Sequence, residues 1–83
     1  MKGTVFQINK QRGMVGTETD NGFTIIELLN DDDIETGDEM EWNPETGLGQ
    51  QVYTNKSKRK QMSVFAQNHW VPKQQLRSQL LID

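Results

Sequence analysis

The residues of this 83-residue chain best suited to chemistry are cations, and they fall in two groups. Lys56-Ser57-Lys58-Arg59-Lys60 places four positive side chains in five positions, and Lys10 and Arg12 sit two apart in Asn9-Lys10-Gln11-Arg12-Gly13. Such groups suit a polyanion, because each neutralised phosphate releases counterions and gives a salt-dependent affinity without base recognition. The bland alternative is a pair of solvated turns that offset acidic residues elsewhere. Phe6, Met14 and Tyr53 are the side chains near these groups that offer stacking area to bases.

Other constellations fall short of a mechanism. Asp31, Asp33 and Glu35 alternate as in a calcium loop, but Gly37 comes one position late and strand-like segments flank the run. His69 is the single histidine and there is no cysteine, so neither a triad nor a thiolate metal site can be assembled. Gly47 and Gly49 lack the third glycine and following helix of a phosphate loop. These absences lead to the expectation of a non-catalytic protein with no cofactor and no metal. The zero cysteine count also suits a reducing cytoplasm. No apolar run approaches the ~18 residues of a membrane span, and no signal-peptide core is expected.

Charge is unevenly divided. Residues 1–55 carry Lys2, Lys10 and Arg12 against eleven acidic residues, whereas residues 56–83 carry six basic residues against Asp83 alone. The net charge of −3 disfavours a non-specific nucleic-acid coat, yet the local field decides where a polyanion can sit.

The elements that must position these residues are mostly strands. Lys2 to Asn9, Met14 to Thr19 and Phe23 to Leu29 show β-branched and aromatic patterning, separated by turn signals at residues 9–13 and at Asp20-Asn21-Gly22. Phe23 to Leu29 is the most apolar run, with apolar side chains on both faces over most of its length, and is expected to be a central strand. Glu39 to Trp42, Gln50 to Asn55 and Met62 to Ala66 read as further short strands. Pro72 then opens a helix over about 72–82, where Leu76, Leu80 and Leu81 recur at helical spacing. A helix this short cannot persist alone in water, so it must either cover one end of a barrel or dock a protein partner or a second copy. Trp42 and Trp70 are expected to close the barrel as core lids. The whole chain, residues 1–83, is expected to be one all-β domain: a small barrel of five or six strands with a short C-terminal α-helix.

Lys2-Gly3-Thr4-Val5 followed by Asn9-Lys10-Gln11-Arg12-Gly13 resembles the opening of cold-shock domains, which are five-stranded OB-fold barrels. Ile34 to Trp42 is similar to that family's turn into its fourth strand, and the overall pattern resembles small bacterial proteins of this kind. The resemblance covers about residues 1 to 55. It implies an OB-like barrel that binds single-stranded nucleic acid, with RNA the expected polymer. Phosphate contacts would fall to Lys10, Arg12, Lys56, Lys58, Arg59 and Lys60. The family's stacking aromatics, however, fall on Gln7, on Met14 and Gly16, and within Phe23 to Leu28. With at least three rings gone, each worth about 1 kcal/mol or more, the stacking face is depleted. The alternative is a protein-interaction module that has lost nucleic-acid binding, using the acidic turn Asp31 to Glu39 or the terminal leucines.

Overall fold

A computed structural model describes residues 1–30, 33–45 and 47–82; Asp31, Asp32, Thr46 and Asp83 lie outside the described residues. Six strands form a closed barrel: β1 (Lys2–Asn9), β2 (Met14–Thr19), β3 (Gly22–Leu28), β4 (Glu39–Glu41), β5 (Gly49–Asn55) and β6 (Lys60–Val71). Their order around the barrel is β1-β2-β3-β6-β5-β4, and every neighbouring pair is antiparallel. A ring in which all neighbours run antiparallel must contain an even number of strands. The second half of the chain accordingly contributes a three-stranded meander, one strand more than a five-stranded barrel would need. Closure leaves no long unpaired edge.

The period-two pattern sorts side chains cleanly. Val5, Val15, Ile26, Met40, Tyr53, Met62, Val64 and Ala66 point inward and form one core with Ile34 and Trp42. Met14, Phe23 and Ile25 alternate with those inward residues and therefore lie on the outer face of β2 and β3. There they join Val71, Leu76 and Leu80 in a second apolar cluster. Both faces of β3 are thus covered from Phe23 to Ile26, which explains why apolar residues fall on both of its faces.

The cover is the C-terminal segment, a 3-10 turn (Lys73–Gln75) continuing into a single α-helical turn, α1 (Leu76–Gln79). It lies on the outer wall of the barrel rather than over one end. It is also shorter than the span of about 72–82 read from leucine spacing. The reason is local: Leu81 adopts φ +61°, and the Leu81 and Ile82 N–H groups donate to the carbonyls of Ser78 and Arg77. This is the paired terminator that ends many helices, here with leucine in the position glycine usually takes.

Strand β6 runs on past Ala66 to Val71, because Asn68 and Val71 still pair with Ile25 and Phe23 across two register shifts. The polar run Gln67-Asn68-His69 hides that extension in the sequence. Trp42 is buried as expected, but Trp70 is 47% exposed and adopts φ +58°, so it is not a core lid. Among the described residues, no helix is long and apolar enough to cross a membrane.

Candidate binding surface

Two of the three side chains expected to offer stacking area are inside the protein. Tyr53 is fully buried and lies parallel to Trp42, with ring centroids 4.6 Å apart and planes 8° from parallel. Burial pushes its phenol up to about 12. Period two fixes this outcome: Tyr53 shares the inward phase of β5 with Asn55, and Val52 takes the outward one. Met14 is buried on the outer wall within the cluster that the C-terminal segment covers. Neither can stack on a base. Phe6 alone stays open, edge-on to Phe23 at 5.2 Å, with the Lys73 ammonium 5.3 Å from its ring centroid.

The outer face of β2 and β3, where the cold-shock resemblance places aromatic rings, is closed by the chain itself. Leu76 and Leu80 fill it, and a Cβ at Gly16 would lie only 2.7 Å from Leu76 Cδ1. Gly16 is therefore a notch for the leucine. Asn9, read from sequence as a turn residue, donates from Nδ2 to the carbonyls of Leu80 (2.9 Å) and Leu81 (3.4 Å) and clasps the end of the segment. Nothing local in the sequence announces that contact, since its partners lie 71 and 72 positions away.

The basic loop between β5 and β6 forms as expected, but its charge is engaged. The Lys58 ammonium donates to Glu35 and lies 3.6 Å from Asp38. The Glu35 hydrogen bond outweighs desolvation and, with the neighbouring Asp38 and Asp33 charges, holds that ammonium above its usual value. Lys56 lies 3.9 Å from Glu41, and Ser57 accepts from the Glu39 N–H. Asp38 in turn accepts from the buried Asn55 amide (2.9 Å) and from the Glu35 N–H (3.1 Å). Burial alone would raise its carboxyl, but these bonds and Lys58 hold it below the ordinary value. The loop is pinned onto the acidic segment that leads into β4. Lys60 is half-buried and also engaged, while Arg59 is exposed at φ +57°. Lys10 and Arg12 are exposed in the β1–β2 turn, beside Leu81 at the end of the C-terminal segment.

One surface emerges that the linear sequence does not show. On the outer side of the barrel, Thr4 of β1 faces Glu18 of β2 on one flank and Glu39 of β4 on the other. Lys2 faces Glu41 in the same pairing. Glu18, Asp20 and Glu39 line a shallow depression floored by Gly3, with Lys2 and Thr4 at its sides. The floor is low because Gly3 packs against β2; a Cβ there would meet the Glu18 carbonyl oxygen at 2.5 Å. Thr4 donates to Glu39 Oε1 at 3.3 Å, and Glu18, Asp20, Glu39 and Glu41 are all exposed. Of the acidic turn expected at Asp31 to Glu39, Asp31 and Asp32 lie outside the described residues, Glu35 and Asp38 hold Lys58, and Glu39 lines this depression. The carboxylates of the depression come from β2, from the turn that follows it and from β4, so only the pairing register brings them together. Among the described residues, no group of three or more metal-ligating side chains is placed to hold an ion. In comparison with known proteins, no family model, no curated protein and no solved structure matches the chain.

Proposed function

We propose that this protein is a non-catalytic protein-binding module whose open acidic depression, lined by Glu18, Asp20 and Glu39, receives a basic segment of a partner. The observation that carries this reading is the row Glu18–Thr4–Glu39 across β2, β1 and β4. Like charges held near each other on one sheet face cost stability, and a lysine- or arginine-rich ligand would recover it. The nucleic-acid reading loses support from the same fold. Two of its stacking residues are buried, its stacking face is covered, and Lys56 and Lys58 are paired with carboxylates. A phosphate chain would have to be gripped by Lys10, Arg12 and Arg59 while avoiding the adjacent carboxylates.

Fluorescence anisotropy at ~50 mM salt, where electrostatic association is favoured, separates the two. A labelled ten-residue peptide of alternating lysine and glycine is expected to bind, with affinity that falls as salt rises and falls further in Glu18→Gln/Glu39→Gln. A labelled single-stranded oligonucleotide is expected to give no signal. Oligonucleotide binding weakened by Arg12→Ala or Arg59→Ala, with no peptide binding, would overturn the proposal in favour of nucleic acid.

A further inference from the structure

We infer that the C-terminal segment, residues 73–82, is exchangeable between two copies of this chain, each seating its segment on the β2–β3 face of the other. The receiving site is a formed groove: Met14, Phe23 and Ile25 wall it, and Gly16 is the notch that admits Leu76. The ligand that fits it is known, because the chain supplies it in cis. Leu76 and Leu80 enter the groove, and the Asn9 amide holds the far end. The segment carries Lys73 and Arg77 and no acidic residue, so an otherwise acidic barrel attracts it whether the barrel is its own or another's.

The hinge carries the inference. To lay the segment on β2 and β3, the chain must reverse between the end of β6 and Lys73 with no loop between them. The last residues of β6 precede that reversal: Trp70 adopts φ +58°, a left-handed conformation that a bulky L residue adopts only at a cost, and Val71 beyond it still pairs with Phe23. The indole gains little burial in return, being 47% exposed and only tilted against His69 at 5.5 Å. Pro72 follows in an extended conformation (φ −71°, ψ 153°). Opening the chain from Trp70 onward frees Val71 from Phe23, lets Trp70 relax to extended backbone and sends the segment outward. The pairing of Val71 with Phe23 and every contact of Leu76, Leu80 and Asn9 can then be remade on a second copy, and only the hinge differs. Short, strained hinges of this kind favour exchange, whereas a longer hinge lets the segment close on its own barrel.

Closure in cis competes at an effective concentration of the order of 1 mM, so exchanged dimers should form near that protein concentration. Full-length protein at about 1 mM, incubated just below its melting temperature and then diluted, is expected to show a dimer by light scattering that decays slowly. Mixed light and isotopically heavy protein should yield heterodimers by native mass spectrometry. Inserting Gly-Ser-Gly-Ser between Val71 and Pro72 is expected to remove the dimer while leaving the melting transition in place. Trp70→Gly, which relieves the closed hinge, should lower the dimer fraction several-fold. A protein that stays monomeric through this incubation would overturn the inference, as would a dimer equally abundant in the insertion variant.

Discussion

The outer wall of the barrel has two neighbouring regions with opposite character. Over β2 and β3 the outward positions are Met14, Gly16, Phe23 and Ile25, and the chain's own leucines cover them. Over β1 and β4 they are Lys2, Thr4, Glu39 and Glu41, with Glu18 at the border, and these stay open. Both regions share one barrel interior and one closed hydrogen-bond network. The difference therefore lies entirely in which side chains the outward phase of each strand presents. A face that a resemblance would assign to ligand has become part of the core, and the face left free has the wrong charge for phosphate.

The sharpest way to break this contrast is to weaken the cover. Leu76 is 2% exposed, and Leu76→Ala should cost about 2–5 kcal/mol, enough to lower the melting temperature by about 10 °C or more on circular dichroism. A shift of only a degree or two would mean that the segment rests on the wall without stabilising it. On the open side the corresponding weak point is Gly3. Gly3→Ala forces a methyl against the Glu18 carbonyl and Thr17 Cγ2, and should cost about 1–3 kcal/mol by prising β1 from β2.

Tyr53 tests the interior both regions rest on, and it is the single tyrosine of the chain. Burial raises its phenol to about 12 from an unfolded value near ~10. The unfolded chain therefore releases this proton first as pH rises, so stability is intact below about pH 10 and is lost between about 10 and 12. Absorbance near 295 nm should show Tyr53 ionising together with unfolding. Ionisation of a still-folded protein near pH 10 would place the ring in water. The smallest expected effect is on the acidic side: Glu18→Gln should stabilise by a few tenths of a kcal/mol at low salt, and the gain should vanish at about 1 M salt.

Much of this architecture was legible in the residues. Asn21-Gly22 marked the β2–β3 hairpin, and alternation in Lys2 to Asn9 and in Glu39 to Trp42 marked β1 and β4, the latter ending one residue earlier at Glu41. Apolar side chains on both faces over most of Phe23 to Leu29 pointed to a central strand, and β3 is buried on both faces from Phe23 to Ile26. The helix had to be covered, and Leu76 and Leu80 are. The candidate site was far less legible, because it depends on register. Whether Tyr53 points in or out turns on a single-residue phase of β5. That Glu18 and Glu39 flank Thr4 follows from pairings 14 and 35 positions apart, which no local pattern encodes. The engagement of Lys58 by Glu35 and Asp38 is of the same kind: a dense basic run looked available until the fold laid an acidic segment against it.

The most direct test of the central claim is amide chemical-shift mapping of the full-length protein with two probes at ~50 mM salt, the lysine–glycine peptide and a single-stranded oligonucleotide. The account requires peptide-induced shifts confined to Lys2–Thr4, Glu18–Asp20 and Glu39–Glu41, and none from the oligonucleotide. Oligonucleotide-induced shifts at Lys10–Gly13 and Lys56–Lys60, with the acidic side silent to the peptide, would contradict it.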